Sequence, residues 1–353
     1  MNKTLALVAI VLASAGAQAA DLLAVYRDAL ASDAQFSAAK AQLDAGREKL
    51  PQGRAGLLPT IGFSANTVWN RDKLSIDSTP PMNTYFKYNT NGWAVQLTQP
   101  LFRWQNWRGY TQSELAVVQA EAQFLQARYD VIVRVAQAYF DVLLAQETLA
   151  VTQSQKAAIS EQLESAKRNF EVGTATIVDT HEAQARFDLA RAQEIAADSD
   201  LIVKRQALRA IIGKEPEPLK TLKVGVKIAP PQPSDIGKWA ETAEGGNAVV
   251  QQAQAGLEIA SQEIDKQRAG HYPTLDLVAS RSRNSQTGGL FGGNALPASA
   301  DMDATTVGLQ LTIPIFAGGY TSSKDREAVA LREKALSDLE YARRQAALAA
   351  RQA

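Results

Sequence analysis

Few side chains in this sequence could carry out covalent chemistry. The chain has no cysteine and two histidines, His181 and His271. Neither histidine has a Cys, His or carboxylate at the spacing of a metal-ligand set, and no phosphate-cradling glycine loop, nucleophile elbow or zinc helix occurs. No catalytic residue, cofactor or metal is therefore expected. What stands out instead is a turn: Gly173-Thr174-Ala175-Thr176 interrupts a long helical pattern, and Asp179 falls just inside the helix that follows. A carboxylate there faces the positive end of a helix dipole. Taken by itself, Asp179 offsets that dipole. Val172 and Gly173 beside it read as part of the turn. The chemistry on offer is recognition.

A turn of this kind needs long helices to position it, and the composition supplies them. Of 353 residues, 46% are hydrophobic but only 7% aromatic, and Ala, Gln and Glu dominate from Gln112 to Ile212, which suits helices packed side by side. Lys+Arg and Asp+Glu balance at 37 each, so charge gives no argument for nucleic acid. Lys3, the apolar run Leu5 to Ala13 and the small-residue triplet Ala17-Gln18-Ala19 read as a secretory signal, residues 1–19, cleaved after Ala19. No later segment reaches the roughly 20 apolar residues of a spanning helix, so any membrane insertion must use strands.

The sequence repeats itself. Val95 to Phe102 returns 214 positions on as Leu309 to Phe316, and at the same offset Asp21 matches Asp235, Arg54-Ala55-Gly56 matches Arg268-Ala269-Gly270, and Pro59-Thr60 matches Pro273-Thr274. The expected organisation is a first repeat over 20–213, a proline-rich linker over 214–234 and a second repeat over 235–353.

In the first repeat, Asp21 to about Gly53 reads as helix with a break near Ser32-Asp33. Alternation then marks strands at 60–69 and 93–101, a hairpin with a polar loop from Asn70 to Asn91. No proline interrupts Trp107 to Glu171, where Leu115, Val118, Ala122, Leu125, Tyr129, Ile132, Ala136, Tyr139 and Leu143 follow a heptad seam. That helix would be about 95 Å long at 1.5 Å per residue. Its return partner runs to about Ile212, giving a helical hairpin over 107–212. The return helix, about 36 residues, and the helix from Ala34 to Ala55, about 22, nearly match the long helix's roughly 65, so the two are expected to lie in line beside it. Leu222 to Ile228 is a short strand-like piece. The second repeat predicts one helix over 235–268, a hairpin over 274–315 with a glycine-rich loop from Asn284 to Asp303, and a helix from about Tyr320. Ala353 corresponds to Tyr139, so the repeat predicts roughly 70 to 75 further residues and the sequence reads as a fragment.

Strands of about ten residues with one apolar face match membrane-crossing strands. Trp69 and Trp93 at the loop end, and Phe102, Trp104 and Trp107 at the helix end, resemble two interfacial girdles. Four strands cannot close a barrel, and lipid leaves no partner for an open edge, so several chains must join; roughly eight strands is the minimum, hence at least two chains. The competing reading is a periplasmic coiled-coil scaffold or adaptor without a pore, which would not need lipid-like hairpins.

Five stretches carry a resemblance to a known family: Pro59-Thr60-Ile61, His271 to Leu277, Leu97 to Phe102, Ala138 to Leu143 and Phe170 to Asp179. Together they resemble the TolC family of outer-membrane efflux and type I secretion channels. The resemblance implies an α+β membrane protein: long antiparallel coiled-coil helices forming an α-barrel tunnel, with four strands given to a shared transmembrane β-barrel. It further implies a homotrimer in the outer membrane of a Gram-negative bacterium, extending into the periplasm. The implied partners are a periplasmic adaptor (membrane fusion protein) and an inner-membrane pump of ABC or RND type. By position, Val172, Gly173 and Thr174 resemble the adaptor-docking tip and Asp179 a residue of the periplasmic gate. Val178, where some members have Thr, would weaken that gate. The family's acidic constriction would fall near position 387, by the repeat.

Overall fold

The computed structural model describes residues 20–77, 79–80, 82–222, 225, 230–290 and 297–353. The expected signal over 1–19 and most of the strand-like piece at 222–228 lie outside them. Helices α1 (Leu22–Ser32), α2 (Ala34–Arg47) and α3 (Lys49–Ala55) lead to strands β1 (Thr60–Ile76) and β2 (Met82–Phe102). Helices α4 (Trp104–Glu171) and α5 (Ile177–Ile212) follow. The second repeat runs through α6 (Ile236–Gly246), α7 (Ala248–Arg268), a 3-10 turn, β3 (Thr274–Leu290), β4 (Pro297–Thr312) and α8 (Tyr320–Gln352).

The repeat is visible in the helix starts. Asp21 and Asp235 each accept a hydrogen bond from the backbone N–H two residues on, at 2.7 and 2.8 Å, satisfying a donor that the helix itself leaves unpaired. Asp33 and Asn247 do the same for Gln35 and Val249. Asn247 therefore breaks what the sequence predicted as a single helix over 235–268. It stands 214 positions after Asp33, and its short amide does the capping work of the carboxylate.

The chain divides into two compact units, residues 1–42 with 124–234 and residues 43–123 with 235–353. The first is helical among its described residues. Val131, Val135, Tyr139 and Val142 of α4 are buried with Val25 and Ala29 of α1 and Leu208 and Ile212 of α5, each large aliphatic contributing about 1.5–3 kcal/mol on burial. Helix α5 runs antiparallel to α4, tied by Lys156–Glu194 at 2.5 Å and Lys204–Asp141 at 3.2 Å. It stops at Gly213, whose φ of 71° only glycine adopts freely, against Ser32. There α1 gives way to α2, and Asp33 ion-pairs with Arg134 while Phe36 packs on Phe124. In this unit α5 and α2 thus lie in succession along α4, the in-line arrangement that the helix lengths imply. The Tyr139 hydroxyl donates to the Lys220 carbonyl at 2.7 Å, and Ala20 bridges Leu219, fastening the connector to α1.

The heptad seam is met only in part. Ala122, Tyr139 and Leu143 are buried, whereas Val118, Tyr129 and Ile132 are exposed. Apolar residues occupy two sides of α4, and the chain's own helices cover the side marked by Val131, Val135 and Val142.

The second unit holds the sheet, four antiparallel strands in the order β1-β2-β3-β4. Both hairpins run further than alternation suggested. β1 pairs with β2 from Thr60↔Thr98 to Ile76↔Met82, and β3 with β4 from Thr274↔Thr312 to Leu290↔Pro297. Most of the expected loops, 70–91 and 284–303, are therefore strand. Past Trp69 the odd positions turn polar with Arg71, Lys73 and Lys87 while apolar residue types fall at even positions, so the alternation breaks while the backbone ladder continues. In the same unit α6 and α7 pack on α8 around Val250, Leu339, Ala342 and Ala346. Helix α3 approaches α4 so closely that a Cβ on Gly53 would lie 2.1 Å from Ser113 Oγ.

Candidate functional site

The sheet has two unlike faces, which follow from the period of two along each strand. Odd-numbered positions carry Ile61, Phe63 and Trp69 on β1, Trp93, Val95 and Leu97 on β2, Leu275 and Leu277 on β3, and Val307, Leu309 and Leu311 on β4. Even-numbered positions carry Gly62, Ser64, Gln96, Ser280, Ser282 and Thr306. One face is apolar and largely uncovered, with Trp69 75% exposed. The other is small and polar, with Ser280 and Thr306 hydroxyls bonded at 2.7 Å. Among the described residues no helix is long and apolar enough to cross a membrane.

The structure places Trp69 and Trp93 within the strands rather than at their ends. They do not share a rung either: Trp69 pairs with Asn89, and Trp93 with Ala65. At the other end Phe102 closes β2, while Trp104 opens α4 three positions before Trp107. All three line one apolar hollow with Leu57 and Leu101. Helix α4 therefore starts at Trp104, and Arg108 lies over that indole at 4.9 Å.

A feature at this junction escaped the sequence. Arg103, between β2 and α4, grips Asp276 of β3 with two hydrogen bonds, Nε to Oδ1 at 2.7 Å and a guanidinium nitrogen to Oδ2 at 2.6 Å. Asp276 is 5% exposed. Below it Arg108 pairs with Asp265 at 3.2 Å and Gln112 donates to Glu263 at 2.7 Å. Burial pushes the Glu263 carboxyl up, but hydrogen bonds from Gln112, Gln267 and Lys266 outweigh it and hold the group below the usual carboxylate range.

The turn between α4 and α5 lies in the first unit. Gly173 takes φ +79°, and the Thr174 hydroxyl donates to the Asn169 carbonyl at 3.0 Å. Val172 and Val178 are exposed. Asp179 Oδ2 accepts from both the backbone N–H and the hydroxyl of Thr176 at 2.8 Å, and Asp179 N–H returns a bond to that hydroxyl. This is a capping box, and its bonds hold the Asp179 carboxyl below its ordinary range. The motif Thr-x-x-Asp before a helix was the available signal. His181 is exposed on α5, and His271 sits in the 3-10 turn beside Pro314 and Phe316.

A family model described as Outer membrane efflux protein matches residues 25–214 and 239–353. The chain belongs to the outer membrane efflux protein family. The two matched stretches begin 214 positions apart, at the spacing of the internal repeat. Among relatives, the proteases secretion protein PrtF of Dickeya chrysanthemi is 31% identical over 98% of this chain and 75% of that protein. Outer membrane protein TolC of Escherichia coli (strain K12) is 32% identical over 88% of this chain and 62% of its own length. The crystal structure of the outer membrane protein VceC of Vibrio cholerae shares the fold, with a TM-score of 0.69 at 19% identity over 92% of this chain and 75% of the other. The fold is therefore that of an outer-membrane protein of this family: helices that extend into the periplasm and four strands that are one chain's share of a membrane β-barrel. In such strands the apolar face meets lipid and the polar face the lumen.

Proposed function

We propose that the protein is the outer-membrane exit duct of a tripartite export system, a homotrimer through which substrates leave passively. The observation that supports this is the sheet with an apolar outer face, a polar inner face and two free edges of 17 and 16 residues, β1 and β4. An unpaired edge costs several kcal/mol per buried backbone group in lipid, so edges of different copies join. Energy for export then comes from an inner-membrane pump of ABC or RND type, coupled by a periplasmic adaptor. Exposed Val172, with Gly173 and Thr174, is the adaptor contact. Asp179 and Val178 belong to the periplasmic gate. Trp69, Trp93, Phe102, Trp104 and Trp107 anchor the barrel at its lipid interfaces. Resemblance to a protease secretion protein favours protein export as one use of the duct.

The seam between β4 and β1 of the next copy is, by the repeat, the counterpart of the seam between β2 and β3. The rung Ala94↔Ser282 therefore corresponds to Gly308 opposite Val68 of the next copy. Because the chain has no cysteine, Gly308→Cys with Val68→Cys tests this cleanly. Oxidation is expected to give a covalent ladder ending at three chains, and a monomer with an internal disulfide would overturn the reading. In planar bilayers the protein is expected to conduct ions and Asp179→Ala to raise the conductance; an unchanged value removes Asp179 from the gate.

A further inference from the structure

The two free edges of the sheet carry opposite charge on the same face. Beyond Trp69, the outward face of the first hairpin presents Arg71, Lys73 and Lys87, with Arg71 and Lys87 sharing one rung. Like charges placed directly opposite destabilise a hairpin. Tyr85 lies between Arg71 and Lys73, at 5.6 and 6.0 Å from its ring centre, which softens the repulsion without cancelling it. The carboxylate of this paired segment, Asp72, points to the other face and accepts from Tyr88 at 2.9 Å. On the second hairpin the outward face holds Asp301 and Asp303, which share one cation, Arg283, at 2.9 and 4.0 Å. The edge strand β1 thus carries cations on this face and the edge strand β4 carboxylates, while Arg281 and Arg283 stand on β3, behind that edge.

We propose that these edges recognise each other between copies, Asp303 of one chain facing Lys73 of the next, so that charge sets the register at which β4 joins β1. The repeat supplies the geometry: the rung Asn89↔Thr287 of the β2–β3 seam maps onto Asp303 and Lys73. One rung nearer the membrane, Asn91↔Ser285 maps onto Thr305 and Arg71, and Asp301 follows one rung further out. An edge slipped by two residues would leave Asp303 opposite Arg71 or Ser75 and break the Gly308–Val68 rung. A backbone ladder alone discriminates weakly between such slips, because every register satisfies most N–H and C=O groups. The pairing rests on the homo-oligomer reading above.

The test is a double-mutant cycle on Lys73→Gln and Asp303→Asn, read as the rate at which the detergent-solubilised oligomer dissociates on warming. Each single change is expected to speed dissociation about fivefold per seam, and so about a hundredfold for three seams. The double change should be no faster than either single one. In 0.5 M salt, where the screening length is only a few ångström, wild type and variants should converge. Additive effects of the two changes, or unaltered rates in all variants, would overturn the pairing while leaving the Gly308–Val68 ladder, and with it the oligomer reading, intact. If instead Lys73→Gln keeps its dissociation rate but loses a thermal shift caused by vesicles of bisphosphorylated lipid A, the cations serve lipid headgroups and the proposal is wrong. Lys73→Arg, which retains charge, should behave as wild type.

Discussion

The strand-to-helix junction occurs twice in this chain, built differently each time. In the first repeat β2 runs to Phe102 and α4 begins at Trp104, with Arg103 between them locked onto buried Asp276. In the second, β4 stops at Thr312 and α8 begins at Tyr320, after Gly318 and Gly319 at φ 59° and 82°. Ile315 and Phe316 there are 95% and 88% exposed. The counterparts of Arg103 and Asp276 at the repeat offset are Ala317 and Gly62. The first junction faces a strand of the same chain, whereas the second stands at the free edge. The repeat has kept the backbone plan and placed the charged lock only where both halves arrive on one polypeptide. Within one chain both partners of such a pair fold together, whereas at a free edge one charge would stand without its partner in the single chain.

Breaking the lock is the sharpest test of that contrast. Arg103→Ala strands the Asp276 carboxylate and should cost about 3 kcal/mol, the low end for such pairs because Arg103 is itself partly exposed. Replacing both, Arg103→Met with Asp276→Leu, should recover most of the loss. Unfolding of the detergent-solubilised protein measures both, and an Arg103→Ala variant as stable as wild type would show that the junctions differ in sequence only.

Helix packing gives a second, smaller contrast. Gly53 of α3 meets Ser113 and the Tyr110 Cα of α4 so closely that a Cβ would sit 2.1 and 3.3 Å away. At the same place in the second repeat stands Gln267, whose amide donates to Glu263 at 2.5 Å. Gly53→Gln should therefore destabilise by about 2 kcal/mol through overpacking, and Gln267→Gly by about 1 kcal/mol through helix propensity and the lost bond to Glu263. Equal effects on thermal unfolding would mean that the two helix pairs are packed alike.

These contrasts also explain what could be read from sequence. The strand cores from Ile61 to Trp69 and from Val307 to Leu311 announce themselves because lipid and lumen demand opposite polarity on successive residues. Long helices show as the absence of proline from Trp107 to Glu171. Past Trp69 the apolar residues no longer keep to the odd positions, so the pattern breaks although the hydrogen-bond ladder does not. The lock of Arg103 on Asp276 joins residues 173 positions apart, and the second repeat, lacking it, offered no echo. Apolar residues line two sides of α4, and only tertiary placement shows which side the chain itself covers. At the α4–α5 turn Gly173 fixed the bend, but the reciprocal bonds of Thr176 and Asp179 needed coordinates.

The smallest expected effect belongs to that exposed carboxylate, the opposite extreme from Asp276. Asp179 is held below its ordinary value of 3.8 by hydrogen bonds from the Thr176 backbone and then from its hydroxyl. A depressed carboxyl lends stability that is fully present above its unfolded-state value and is lost as pH falls through the folded-state value. Thr176→Ala removes the hydroxyl, so amides of the first turn of α5 should exchange roughly fivefold faster at neutral pH. That difference should shrink once the pH drops below 3.8, where the protonated acid accepts poorly. Asp179→Asn should show slight pH dependence over the same window. A gap between wild type and Thr176→Ala that persists unchanged in acid would mean that the threonine caps the helix alone and that the carboxylate is free for contacts beyond its own chain.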